Sequence, residues 1–436
     1  MFQRPRGTRD FGPAEMARRT TLERLCDEQA ARHGFLRVAT PTFESLDLFT
    51  AKSGDAVVGE LYAFEDKGGR PLTLRPELTA PVMRMVANEM RSVPKPMRLA
   101  YHGSCFRYEE FKTARYREFW QYGCEIVGAS GPLVEAEVVA FAISLMRAAN
   151  VADWTMKIGH VGILNDLLAG LDVAEDNRRD VMRLLDKGEF AGLTGKGVSA
   201  DAATKLEAFA SLSGGSDVIP AARAMLEEMG VATESLDSLG EMMGSLEGLV
   251  PNMPQTTIDL TVARGLDYYT GMVFEFEVAE LGGESQVLGG GSYRLMHLFD
   301  LDELDPCCGF GLGFDRILIA LEKQAERLGR SEVVPGESAG PGSLAVIPFK
   351  VEASNVLGLV AELRESGERV LLELRERNLG RSMGWADSAG AAFTLIVGPR
   401  DLEAGEATVK RMSDGQEAQC KLSAGAIAEA LASLRD

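Results

Sequence analysis

The stretch FRYEEFKTARYREFWQYGCE, Phe106 to Glu125, restricts the fold of this chain more than any other. It reads as two strands joined by a polar loop, Glu110 to Ala114. On the first strand Phe106 and Tyr108 share one face, while Arg107 and Glu109 share the other. On the second, Phe119, Gln121 and Glu125 recur at even spacing and so point the same way. A guanidinium on a strand with apolar neighbours needs an anion, because burying it unpaired is costly. Arg107 beside Glu109 sets a cation next to an acceptor, which suits a ligand with an anionic end and an N–H donor, such as a nucleoside triphosphate. A structural cross-strand ion pair accounts for the pattern equally well.

Charge distribution bears on which anion. The chain carries a net −19 over 436 residues, yet residues 1–130 sum to +3 and residues 131–342 to −19. The hairpin therefore lies in a locally basic segment, and nucleic acid stays open as a partner. No window approaches the roughly 18–20 apolar residues of a membrane span, so no membrane is expected. MFQRPRGTRDFGP has no apolar run after its basic residues and predicts no secretory signal. Six cysteines lack C-x-x-C spacing, Cys307 and Cys308 are adjacent and so are poor joint ligands, and only four histidines occur. Reduced thiols in a cytoplasmic protein, with no protein-held metal, are the expectation.

At this length two or three domains are expected. Ala14 to Arg32 reads as a helix through Leu22, Leu25, Cys26 and Ala30, ended at Gly34. FLRVATP reads as a strand closed by Pro41. DKGGRPLTLRPELTAPVMRMVANEM gives a turn, a strand and a helix from near Thr79. Between residues 164 and 250, VMRLLDKGEF, ATKLEAFASL and AARAMLEEMG carry helical apolar spacing between Gly-rich and Ser-rich turns. This predicts a helical insertion that divides a core of residues 1–163 and 251–328. Residues 329–343, GRSEVVPGESAGPGS, read as a linker. Residues 344–436 then alternate strands and helices as a small α/β module.

Two further pieces carry chemistry. In VARGLDYYTGMVFEF, Arg264 precedes Gly265 and the pair Tyr268 and Tyr269 follows; adjacent strand residues face opposite sides, so one can pack while the other lines a cavity. Two tyrosines that simply pack explain the stretch as well. In GFGLGFDRIL, glycines 309, 311 and 313 allow close packing of a strand and Arg316 opens a helix. Neither G-x-G-x-x-G nor a G-x-x-x-x-G-K-[ST] loop occurs, so phosphates here would be held by arginine side chains.

These pieces, together with QRPRGTRDFGP, TPTFESLDLF, LTLRPELTAPVMR and GGGSY in the same order, resemble the histidyl-tRNA synthetase family of class II aminoacyl-tRNA synthetases over nearly the full chain. TPTFESLDLF, the Phe106–Gly128 region and GFGLGFDR correspond to class motifs 1, 2 and 3. The resemblance implies an α+β protein: an antiparallel six-stranded catalytic sheet flanked by helices, a helical insertion, and a C-terminal α/β anticodon-binding domain. It implies activation of L-histidine by ATP, with Mg²⁺ on the phosphates, then transfer to tRNA(His) by a homodimer assembled partly through motif 1. Arg107 would hold the α-phosphate and Arg264 would bridge it to the attacking carboxylate. Phe119 and Arg316 would sandwich adenine, with Glu109 near its amino group, and Arg115 would reach the γ-phosphate or the acceptor end. A site for imidazole should offer hydrogen-bonding groups to both ring nitrogens. The resemblance assigns Glu125 and Tyr269 there, with Tyr268 and Tyr293 beside them, and Glu77, Thr79 and Gln121 at the α-ammonium. Without it, Arg75 and Glu77 also read as a surface pair.

Some residues depart from the family pattern. EFKTAR stands where Arg-Pro-Gln-x-Gly-Arg is common, which bears on the acceptor end of tRNA more than on ATP. Ser292 replaces a frequent arginine, Trp120 a commoner histidine, and GRSMGWADSAGA is less basic than usual. Two other readings compete with the enzyme. The synthetase-like regulatory subunit of ATP phosphoribosyltransferase is expected to lack the C-terminal domain and the arginine of ARGLDYY. A pseudoenzyme is expected to have lost Arg107, Arg264 or Arg316. This chain has all of them.

Overall fold

A nine-stranded sheet carries the hairpin. The computed structural model describes residues 2–108, 116–262, 269–337 and 343–435. In chain order the strands are β1 (Leu36–Arg37), β2 (Met97–Phe106), β3 (Glu118–Val127), β4 (Trp154–His160), β5 (Ser213–Gly214), β6 (Thr256–Asp259), β7 (Tyr269–Val278), β8 (Gln286–Tyr293) and β9 (Cys307–Gly313). Their spatial order is β1-β2-β3-β9-β8-β7-β4-β6-β5. From β2 to β4 every neighbouring pair is antiparallel, which makes six antiparallel strands at the centre as expected. The short β1 and β6 add to either flank in parallel.

Period-two alternation sorts the two faces of this sheet. Tyr122, Cys124 and Ile126 of β3 face three helices, Pro13–Arg32, Pro132–Ala148 and Phe314–Leu328, in one continuous apolar core. Leu99, Tyr101 and Cys105 of β2 face the other way, onto the helix Thr79–Glu89 and its neighbours. The first helix has Pro13 in its opening turn, and Gly34 just beyond its end takes φ +75°. Leu22, Cys26 and Ala30 are its buried face, and each large apolar side chain so covered contributes about 1.5–3 kcal/mol.

Helices Val161–Gly170, Glu175–Asp186, Ala200–Ala210, Val218–Glu228 and Glu234–Leu249 follow β4. Their Leu164, Leu185, Leu206, Leu226 and Leu246 join the same core as the helix-covered face of the sheet. Two compact units divide between Glu337 and Ser338. Val334 is fully buried in the first unit's core, so the start of the Gly/Pro/Ser-rich stretch is packed. The second unit is a five-stranded sheet: Val370–Leu372, Leu344–Pro348 and Phe393–Val397 are parallel, and Glu406–Arg411 and Glu417–Lys421 continue it antiparallel. Leu344, Val360, Leu395, Ile427 and Leu431 form its own core.

Two local expectations change, and some elements of the second unit had no expectation. FLRVATP contributes only Leu36–Arg37 to a strand, since Pro41 and the exposed Leu36 leave little to pair or bury. The first hairpin strand stops at Phe106; Arg107 N still donates to Arg117 O, but Tyr108 N turns to Glu60 O. In the second unit, helix Leu379–Ser388 and the hairpin Glu406–Lys421 were not legible as such.

Candidate active site

Nine residues expected at the site line one cavity of about 940 Å³: Glu77, Thr79, Arg107, Phe119, Gln121, Glu125, Tyr269, Tyr293 and Arg316. Glu109, Arg115, Arg264 and Tyr268 lie outside the described residues. Phe119, Gln121 and Glu125 line the cavity from one face of β3, and about 20 Å of extended strand separates the first from the last.

Glu125 anchors one end. It is 1% exposed, and its two oxygens accept from Tyr101 Oη at 2.8 Å and Tyr293 Oη at 2.6 Å. Burial raises its pKa to about 7, against the lowering effect of the phenols, and pushes both phenols well above their usual range. Gly309 stands directly opposite Glu125 across the β3–β9 ladder. A Cβ at that position would lie 1.9 Å from Glu125 Oε2, so the glycine is what leaves room for the carboxylate. Tyr269 pairs with Tyr293 across β7 and β8, with ring centroids 6.5 Å apart.

Glu77 accepts from the backbone N–H groups of Thr79 and Ala80, at the start of helix Thr79–Glu89, and pairs with Lys52 Nζ at 3.2 Å. Thr79 Oγ1 lies 3.3 Å from Tyr101 Oη, which links this end to the Glu125 cluster. Arg75 is no surface partner of Glu77. It is 6% exposed and donates to the carbonyls of Ser104, Thr40 and Pro41, so its guanidinium is committed to the backbone of β2 and of the segment after β1.

The other end is cationic and aromatic. The Arg107 guanidinium lies 5.2 Å from the Phe119 ring centroid, and its Nε donates to Pro76 O at 3.1 Å. Arg316, in the first turn of helix Phe314–Leu328, donates to Gln286 O at 2.8 Å. Each of these two guanidinium groups thus donates to a backbone carbonyl. The Arg117 guanidinium lies 4.3 Å over the Tyr108 ring. Ser292 is buried and donates to Glu135 at 2.5 Å, on the helix side of the sheet.

Tyr101, Lys52 and Glu275 also line the cavity and were missed in the sequence. Tyr101 and Glu275 could have been found: both sit at cavity-facing positions of period-two strands, and Glu275 is a carboxylate between two phenylalanines. Lys52 has no such signal, since its role depends on a helix packing beside Glu77.

Comparison with known proteins shows the family of the chain. Residues 7–317 match the family model described as Histidyl-tRNA synthetase, and residues 343–434 the one described as Anticodon binding domain. A curated histidine–tRNA ligase of Archaeoglobus fulgidus is 40% identical over 420 residues, 95% of this chain and 96% of its own length. Among solved structures, the histidyl-tRNA synthetase of Nostoc sp. PCC 7120 superposes with TM-score 0.81 at 21% identity, over 100% of this chain and 99% of that one, a likeness of fold. A Bacillus halodurans protein titled ATP phosphoribosyltransferase regulatory subunit/histidyl-tRNA synthetase gives TM-score 0.75 at 25% identity, covering 91% of this chain and 98% of its own.

Proposed function

The chain belongs to the histidyl-tRNA synthetase family and is an aminoacyl-tRNA ligase, and from that premise we propose how its cavity joins L-histidine to tRNA(His). ATP lies with its base between Phe119 and Arg316 and its amino group near Glu109. Arg107 holds the α-phosphate, Arg264 bridges it to the histidine carboxylate, and Arg115 reaches the γ-phosphate or the acceptor end of the tRNA. Histidine lies at the other end: its imidazole is read by Glu125 and Tyr269, with Tyr268 and Tyr293 beside them, and its ammonium group by Glu77, Thr79 and Gln121.

The amino-acid carboxylate is ionised at neutral pH, so its attack needs no general base. A carboxylate oxygen forms a bond to the α-phosphorus, the bond to the bridging oxygen of the β-phosphate breaks, and pyrophosphate leaves with that electron pair. The protein's part is alignment and stabilisation of charge on the α-phosphoryl oxygens by arginines. In the second step a terminal ribose hydroxyl of the tRNA displaces AMP from the acyl carbon. Mg²⁺ bound to the triphosphate is usually held by one or two carboxylates together with phosphate oxygens and water. Glu275, a buried carboxylate on the cavity wall, fits as such a donor, and the ion would neutralise the outgoing pyrophosphate.

The observation that carries this reading is the buried Glu125 with its two phenols, an acceptor matched to a small heteroaromatic ring, on the same strand face as Phe119. Pyrophosphate exchange with each standard amino acid supplied separately tests it: exchange with histidine alone is expected, and exchange with none or with another amino acid would refute it. The regulatory-subunit reading is disfavoured by the match of residues 343–434 to an anticodon-binding domain.

Residues 1–163 and 251–328 make the catalytic core, 164–250 the insertion, 329–343 the connection and 344–436 the anticodon-binding domain. The enzyme works as a cytoplasmic homodimer. Exposed Leu36, Phe43 and Phe64, in and near TPTFESLDLF, supply an apolar surface for a second copy, and a monomer by light scattering at micromolar concentration would contradict it. No helix among the described residues is long and apolar enough to cross a membrane.

A further inference from the structure

The residues ahead of the first helix have no regular structure, yet they are fastened beside the cavity. Gly7 O accepts from Arg117 N at 2.9 Å. Gly7 takes φ +84°, and a Cβ there would stand 2.7 Å from the Arg117 side chain, so the close approach requires glycine. Two residues on, the Arg9 guanidinium lies 3.7 Å over the ring of Tyr116, which lines the cavity, and donates to Asp315 Oδ1 at 2.5 Å. Arg19, 4% exposed on helix Pro13–Arg32, donates to the same oxygen at 2.7 Å. The other oxygen of Asp315 accepts from Trp120 N at 2.7 Å.

Asp315 is itself 4% exposed. Two guanidinium groups and a backbone N–H satisfy its buried side chain. Its position matters more than its energy. Asp315 precedes Arg316, and Trp120 follows Phe119, so one carboxylate ties together the helix turn and the strand that carry the two walls of the base site. Neither Arg9, Arg19 nor Asp315 has been given a part in the chemistry above.

We propose that the N-terminal segment and first helix, through Arg9, Arg19 and Asp315, set the separation of Phe119 and Arg316 and so control nucleotide affinity. The three are positioning residues. The inference rests on the reading that Phe119 and Arg316 hold the base. Without its guanidinium partners, Asp315 is a buried charge that draws in water, and its bond to Trp120 N loosens. The walls then no longer meet the base at stacking distance. The histidine end is held by the separate network of Glu125, Tyr101, Tyr293 and Thr79, so it keeps its geometry.

The test uses the full chain and histidine-dependent pyrophosphate exchange, with KM measured for both substrates and thermal melting recorded. Arg9→Gln should raise KM for ATP about tenfold, the weight of one charge-assisted hydrogen bond, and leave KM for histidine within about twofold. Arg9→Lys should recover part of the loss. Asp315→Asn should act in the same direction and more strongly. Should that variant not fold, Arg9→Gln decides alone, since the Arg9 side chain is 18% exposed and its loss leaves Arg19 in place. A lowered melting temperature with KM for ATP unchanged, or both KM values rising together, overturns the proposal. Arg316→Ala separates the two levels. If it leaves KM for ATP unaltered, the base-site reading itself fails; if it raises KM while Arg9→Gln does not, only the positioning role fails.

Discussion

Glu125 is satisfied by phenols, and that choice makes the end of the cavity proposed for histidine sensitive to pH. Burial raises its pKa from 4.5 to about 7, so between those values the folded protein holds a proton that the unfolded chain has released. Its contribution favours folding at acid pH and is lost as pH rises through 7. Function runs the opposite way: the ionised form has lone pairs to spare for an imidazole N–H, the protonated form fewer. Histidine kcat/KM should therefore climb as pH passes about 7. In Glu125→Gln only the substrate's imidazole titrates, so the half-point should move to ~6.5 and the plateau should fall about 10–100-fold. Exchange rates from mildly acid to mildly alkaline pH check this, and superimposable profiles would refute the assignment. Gly309 is the second residue to test. A methyl group there would stand against Glu125 Oε2 and Cys124 O, so Gly309→Ala should cost about 1–3 kcal/mol or more in denaturant unfolding and should weaken histidine binding.

Glu77 acts through an element, the helix Thr79–Glu89. Its carboxylate closes the first turn by accepting from Thr79 N and Ala80 N, and it also faces the cavity beside Lys52. The two roles separate by mutation. Glu77→Gln keeps an oxygen for the backbone and loses the charge, so KM for histidine should rise with little change in stability. Glu77→Ala loses both, and a further ~1 kcal/mol of stability should go with the cap. Equal stability of the two variants would show that the capping bonds contribute nothing. The sheet is the other element that matters. Its strand order puts β9 between β3 and β8, which is why Glu125 meets both Gly309 beside it and Tyr293 one strand further on.

At the scale of the whole molecule, the two units have separate cores. Residues 1–337 alone should keep histidine-dependent pyrophosphate exchange within about tenfold, since each unit has a hydrophobic core of its own. Charging of tRNA should fall much further, because the anticodon-binding unit is gone. Loss of exchange in a fragment that melts cooperatively would refute this division of labour. In the intact protein, tRNA binding should weaken steeply with salt as counterions are released, despite the net charge of −19. The excess acid of residues 131–342 then belongs on surfaces away from the RNA.

Much was decided by sequence alone. Period-two alternation in the Phe106–Glu125 stretch already set Phe119, Gln121 and Glu125 on one face, because a strand cannot do otherwise, and the family resemblance of the motifs implied the α+β architecture. The helix through Leu22 and the helices between residues 164 and 250 were legible from apolar spacing. Only the tertiary structure could decide who meets whom across strands distant in the chain. Tyr101 and Tyr293 reach Glu125 because β2, β3, β9 and β8 lie side by side, and Lys52 reaches Glu77 because two helices pack. Arg9 and Arg19 converge on Asp315 from some 300 residues away. Local patterns fix the direction of a side chain, whereas its partner is fixed by strand order and packing, which no single stretch encodes.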